Sequence, residues 1–226
     1  MQIVNPTAGL FAGDELTFDI EIGAGARVAL TSPSAARFHT MPGGKAELRQ
    51  DFRLGEGAWL DFWPEMMIPQ RDSETSQRTR LFLEKGASAV FLDSLAPGRV
   101  AHGENCEFRR LETRFELWQE GNLLVKERAV MTPGNGHWPL VVPGWERCYY
   151  AAIWIVDGKA EEAAGLEKIL SEAAGDARCG FSLLEDGLGV LRILAPSSLV
   201  LRKILAEARR GLQESVPLLA TDFRKI

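Results

Sequence analysis

Glu15-Leu16-Thr17-Phe18-Asp19-Ile20-Glu21-Ile22 runs straight into Gly23-Ala24-Gly25-Ala26, an alternation of polar and apolar side chains closed by two glycines. The alternation places Leu16, Phe18, Ile20 and Ile22 on one face, which is the pattern of a strand with one buried side. The glycines supply the positive φ of a tight turn. The same texture returns at Gly55-Glu56-Gly57-Ala58 and again at Glu84-Lys85-Gly86-Ala87, each after one strand and before another. The second copy begins 32 residues after the first and the third 29 residues after the second. Such a spacing suits paired strand layers stacked in a β-helix-like solenoid. A plain antiparallel sandwich with recurrent hairpins satisfies the same pattern.

Outward from this repeat the chain continues to read as short strands. Ala26 to Leu30, Trp59 to Trp63, Thr79 to Leu83, Ser88 to Leu92, Arg114 to Trp118 and Leu123 to Arg128 are separated by Gly, Pro or charged turns. Pro42-Gly43-Gly44-Lys45 reads as a hairpin turn. Thr132 to Gly144 is a connecting segment rich in turn residues, and Tyr149 to Val156 is a buried strand ended by Asp157-Gly158. Helical periodicity comes late. Glu161 to Ala174 sets Ala163, Leu166, Ile169, Leu170 and Ala173 on one face. Phe181 to Leu184 and Gly189 to Leu194 form a hairpin about Glu185-Asp186-Gly187. Ser197 or Ser198 caps a second helix that ends near Arg209, Arg210 and Gly211. The expectation is a mainly β fold, with paired strand layers and two helices near the C-terminus.

Composition narrows the function. A net charge of -5 gives no electrostatic footprint for nucleic acid or anionic membrane. No apolar run is long enough to span a bilayer, and Met1 to Pro6 lacks the character of a secretory signal. Cys106, Cys148 and Cys179 are odd in number and widely spaced, as free thiols in a reducing compartment are, so a cytoplasmic location is expected.

Catalytic patterns are absent. His39, His102 and His137 are isolated, Ser32 and Ser34 are in no nucleophile elbow, and Pro42 to Lys45 is no phosphate cradle. Carboxylates inside strand patterns are more informative, because a buried ionised carboxylate requires a partner. Asp61 lies between Leu60 and Phe62, Asp93 follows Ala89-Val90-Phe91-Leu92, and Glu127 precedes Arg128. Alternation makes each a solvent-facing residue. Otherwise each belongs to an internal ion pair or polar channel, with Arg99 and Arg128 as counter-charges. Trp59 and Trp63 share a strand face, which core packing explains at least as well as a ligand-binding ladder. Basic Arg202, Lys203, Arg209 and Arg210 on the last helix form either a partner face or a solvated surface.

Several segments, in order, resemble the urease accessory protein UreD (UreH) family. They are Asn5-Pro6-Thr7-Ala8-Gly9-Leu10-Phe11-Ala12-Gly13-Asp14, Ala29-Leu30-Thr31 with Ala35-Ala36-Arg37-Phe38, and Leu60-Asp61-Phe62-Trp63-Pro64-Glu65. Further on come Asp93-Ser94-Leu95-Ala96-Pro97-Gly98-Arg99 with Gly103-Glu104, then Leu123-Leu124-Val125-Lys126-Glu127-Arg128, and Val190-Leu191-Arg192-Ile193-Leu194. The resemblance implies one domain over 1–226 that lacks the first strands of the family. It implies no enzymatic activity. It also implies binding to the helical accessory protein UreF, recruitment of the GTPase UreG, docking on apo-urease, and transient rather than permanent nickel contact. Asp93 and Glu127 are the best carry-overs for a nickel passage, followed by Asp14, Asp61 and Glu65, where the family often has glutamine. Gly9, Gly13, Pro64, Gly98, Arg99 and Arg128 carry over as structural motif residues. The other readings are a β-helical carbohydrate-binding or carbohydrate-processing protein, and an assembly protein with no metal role.

Overall fold

The computed structural model describes residues 1–133, 142–156, 175–185 and 187–215. Thirteen strands and one α-helix are seen among them. Strands β1 (Glu15–Ile22), β4 (Ala46–Leu54), β7 (Glu74–Leu83), β9 (Arg110–Gln119) and β10 (Asn122–Met131) form a five-stranded sheet in that order. The second sheet runs β12 (Arg178–Glu185), β13 (Leu188–Ala195), β11 (Tyr149–Val156), β8 (Ser88–Leu95), β5 (Trp59–Phe62) and β2 (Arg27–Leu30). The short strands β3 (Ala36–Phe38) and β6 (Met67–Pro69) pair with each other, and β6 also meets β8.

The repeat seen in the sequence is the register of the solenoid. Glu15 pairs with Glu47 and Arg27 with Trp59, each 32 residues on. Ala46 pairs with Thr75 and Trp59 with Ser88, each 29 residues on. All these pairings are parallel, so the solenoid is the correct choice and the hairpin sandwich is not. At the corners Gly25, Gly57 and Gly86 stack with φ of 65°, 62° and 69°. The Gly25 N–H donates to Glu56 O at 2.8 Å, and the Gly57 N–H donates to Lys85 O at 3.0 Å. The left-handed backbone aims each corner amide at the next coil, and only glycine takes it without strain.

Alternation along the strands then builds the layers. Between the sheets lie Phe52, Leu54, Leu60, Phe62, Leu81, Phe91, Leu117 and Trp154. On the far side of the second sheet, Trp63, Val90, Leu92, Ile153, Leu191 and Ile193 pack under helix α1 (Ser198–Ser215) through its Leu201, Ile204, Leu205, Ala208 and Leu212. Ser197 caps this helix, its hydroxyl accepting from the Val200 N–H at 3.2 Å. The helix continues through Gly211 rather than ending there. The other expected helix, Glu161 to Ala174, lies outside the described residues, as do Asp186 of the expected turn and His137. No described helix is long and apolar enough to cross a membrane.

Strands β3, β4 and β6 escape the sequence reading, and β7 begins five residues before its expected start at Thr79. The hairpin expected at Pro42 to Lys45 is instead the lead into β4, which pairs in parallel with β1 and β7. On β4 the outward residues are Glu47, Arg49, Asp51 and Arg53 and the inward ones Ala46, Leu48, Gln50, Phe52 and Leu54, so the strand alternates with Gln50 as the one polar break in its buried face.

Candidate functional site

The inner face of the five-stranded sheet is not uniformly apolar. Thr75, Gln77 and Thr79 of β7 and Gln50 of β4 point inward and are buried. Gln50 Nε2 donates to Thr79 Oγ1 at 3.1 Å. The hydroxyls of Ser73 and Thr75 have no partner among the described residues. Burying so many polar groups opposes folding unless their surroundings are polar too.

Those surroundings are two cavities between the sheets. One, of about 200 Å³, is bordered by Asn5, Thr7, Ser32, Arg37, Gln50, Glu65, Gln77 and Asp93. The other, of about 370 Å³, is bordered by Asp93, Thr113, Glu127, Tyr150, Ala152 and Arg192. Met67, Asp93 and Ser94 line both. The first cavity reaches the exposed N-terminal segment, and the second reaches exposed Arg114 and Val130 on β9 and β10.

Asp93 sits where the cavities meet. It alternates with Leu92 and Ser94 on β8, so its side chain enters the space between the sheets while theirs face the helix layer. Burial pushes its carboxyl up to about 6 against hydrogen bonds from the Gln77 side chain and the Ser94 N–H, and the charge of Glu127 adds to the rise. Glu127 on β10 lies opposite Phe115 and forms an ion pair with Arg192 of β13, which spans the gap between the sheets. The Arg192 guanidinium lies 5.6 Å from the Trp154 ring centroid. Tyr150 completes the group, its hydroxyl pushed up to about 12 first by burial and then by Glu127.

The remaining predicted residues are placed elsewhere. Glu65 borders the first cavity, but its carboxylate is 3.4 Å from Arg202 Nη2. Asp14 is exposed and accepts from the Phe11 N–H at 2.8 Å, closing the turn into β1. Asp61 is fully buried on the helix side of β5, where Arg209 binds it through both guanidinium nitrogens, Nη1 at 2.9 Å. Burial raises the Asp61 carboxyl against the pull of Arg209. Arg209 also lies 4.9 Å from the Trp63 ring centroid. Arg209 is therefore removed from the expected partner face, while Arg202, Lys203 and Arg210 stay exposed, Arg210 beside Glu207.

The expected counter-charges are corrected as well. Arg99 binds buried Glu104, with Nε at 3.1 and 3.0 Å from its two oxygens. Gly98 at φ 141° sits against the Glu104 backbone, where a side chain would be 3.3 Å from the carbonyl oxygen. This pairing clamps one loop and serves no channel. Arg128 faces outward and shares Glu112 with Arg110 and Arg114, which together hold that carboxyl down to about 2. The partners of the inner carboxylates are Arg192 and Arg209. Neither was predicted as one, because the pairs join residues 65 and 148 positions apart.

Gly9 and Gly13 have φ of 148° and 88°, and a Cβ on Gly9 would approach Arg37 O to 2.6 Å. Pro64 ends β5 beside the first cavity. Trp59, Trp63 and Trp154 are buried, so the Trp59–Trp63 pair is core packing rather than a ligand ladder. Among the described residues no three His, Cys, Asp or Glu side chains converge on one point. The inner carboxylates can thus offer a divalent cation one or two oxygens each, which suits loose contact more than a closed site.

A family model described as UreD urease accessory protein matches residues 1–222. The urease accessory protein UreD of Opitutus terrae is 36% identical over 230 residues, covering 100% of this chain and 84% of the relative. That of an Arthrobacter species is 30% identical over 226 residues, covering 94% of this chain and 75% of the relative. That of Halalkalibacterium halodurans is 29% identical over 206 residues, covering 90% and 75% respectively.

Proposed function

We propose a function from one premise: this chain belongs to the UreD family of urease accessory proteins. Its general role is therefore in urease maturation, as an accessory protein and not as an enzyme. In the finer reading the chain is a cytoplasmic scaffold that binds a UreF-type helical partner. Through that complex it receives a UreG-type GTPase and docks on apo-urease. It takes no part in nucleic-acid or membrane binding. Nickel is the cargo and passes between the two sheets, with Glu127 and Asp93 as transient contacts.

The observation that supports the passage is the meeting of the two cavities at Asp93, in an interior otherwise walled by Phe, Leu and Trp. A hydrated divalent cation needs oxygen atoms along its route, and Gln50, Gln77, Thr113, Asp93 and Glu127 supply them. Only two of these, Asp93 and Glu127, are carboxylates, and both border the second cavity.

Copurification of this chain with UreF from the same organism, followed by nickel activation of apo-urease, tests the reading. A stable complex that activates urease is expected. Asp93→Asn and Glu127→Gln are expected to keep the complex and to lower activation by about 10- to 100-fold, the range seen when groups that tune a metal's surroundings are altered. No complex with UreF would sink the scaffold reading, and full activation by both variants would sink the passage.

A further inference from the structure

The Glu127–Arg192 pair has a feature that an ordinary inter-sheet ion pair lacks. Its two members border a cavity that also holds a second carboxylate, Asp93, whose interacting groups are Gln77, the Ser94 N–H and Glu127, none of them cationic. Arg192 pairs across the second sheet with Ala152, and Ala152 with Asp93. Arg192, Ala152 and Asp93 therefore form one row on one face, spanning two strand spacings, about 10 Å. The residue between Arg192 and Asp93 on that row is alanine, and the Tyr150 hydroxyl beside it accepts a hydrogen bond from the Arg192 guanidinium. Trp154, two positions along β11 from Ala152, offers its ring face to the same guanidinium. The guanidinium rests on Glu127, Tyr150 and the Trp154 face, and Asp93 is the further carboxylate bordering the same cavity.

We propose that Arg192 is a tethered resident cation, which neutralises Glu127 when the cavity is empty, yields the carboxylate to an arriving divalent ion, and then competes that ion off again. The idea rests on the passage reading above and adds to it how the ion is released. Two carboxylates facing one cavity would tend to retain a divalent cation. A guanidinium fixed to the wall competes at high local concentration, for the same reason that a linked ligand outcompetes a free one. It cannot lose its charge, so the competition persists at any pH at which the protein is folded. Arg192 is in these terms a positioning residue: it sets how long the cargo stays on Glu127 without having to touch the cargo.

The test measures metal binding by the purified, untagged chain, using Ni²⁺ in calorimetry and Co²⁺ in absorption. Arg192→Met keeps the aliphatic stem over Trp154 and removes the charge. It is expected to bind either ion at least tenfold more tightly than the parent chain. The gain is expected to vanish in Arg192→Met/Glu127→Gln, and Arg192→Lys is expected to stay near the parent value. If Arg192→Met does not fold, Arg192→Gln carries the same expectation. Unchanged or weaker metal binding, together with a lower melting temperature, would overturn the proposal and leave Arg192 as a structural tie between the sheets. The underlying reading fails by a different result, namely full urease activation by Asp93→Asn and Glu127→Gln.

Discussion

Asp93 shows how a single buried carboxyl can oppose stability at neutral pH. Its folded-state pKa of about 6 lies above the ordinary aspartate value of 3.8. A raised carboxyl means that the folded chain binds the proton more tightly than the unfolded one. Stability from this group is therefore greatest below about pH 4 and falls as pH rises through 6. At neutral pH the charged form costs the fold about 1–3 kcal/mol, the upper figure being the full shift and the lower allowing for a hydrated cavity. Asp93→Asn is expected to be more stable than the parent in urea at pH 7, with the advantage fading toward pH 4. Urea midpoints across that pH range check it, and a variant less stable at pH 7 would show that the carboxylate is better compensated than its neighbours indicate. Burial raises the Asp61 carboxyl as well, but there a bidentate Arg209 works against the rise and attaches helix α1 to β5.

Among the elements, the corner glycines carry the coil-to-coil register. Gly57 at φ 62° has open space around a would-be Cβ, so its constraint is backbone conformation alone. Gly55 has the opposite problem, with a would-be Cβ 2.8 Å from Ala24 N in the coil before. Gly57→Ala is expected to cost about 1–2 kcal/mol from the left-handed backbone. Gly55→Ala is expected to cost more, because backbone must shift against backbone. Urea unfolding of both variants ranks them, and the reverse order would mean that the corner relaxes easily. The same scale explains which strands were hard to recognise. Strand β1 alternates polar with apolar, and β4 does the same apart from Gln50, whereas the start of β7 buries Thr75, Gln77 and Thr79. A half-buried strand is recognised by its apolar face. At the start of β7 the buried face is polar and that signal is gone; β3 and β6 are too short to carry it, and β4 carries it except at Gln50.

For the whole molecule, the proposed passage requires empty volume as much as charge. Ala152 lines the second cavity between Arg192 and Asp93 and is itself buried. Ala152→Leu is expected to fill that gap, abolish nickel-dependent urease activation, and leave UreF binding intact. The overpacking cost is about 1–3 kcal/mol, so a melting curve must accompany the assay. Activation at the parent level by a folded Ala152→Leu chain would place the cargo's route elsewhere.

By itself the sequence determined the stacked period, the positions of most strands, the last helix and the family, because turns, alternation and ordered motifs are local features of the chain. It also singled out Asp93 and Glu127, first with Asp61 as carboxylates inside strand patterns and then, through the family resemblance, as the best carry-overs. Tertiary structure alone decided parallel over antiparallel pairing, since a glycine corner serves either. It decided that Asp61 belongs to Arg209 and Glu127 to Arg192, and that Arg99 and Arg128 are engaged by Glu104 and Glu112. The first two arise where the second sheet meets the helix layer and the first sheet, whereas Arg99–Glu104 closes one loop and Arg128–Glu112 lies on the outer face of the first sheet. Alternation states which face of a strand a charge occupies, but only the stacking of layers states what lies across from it.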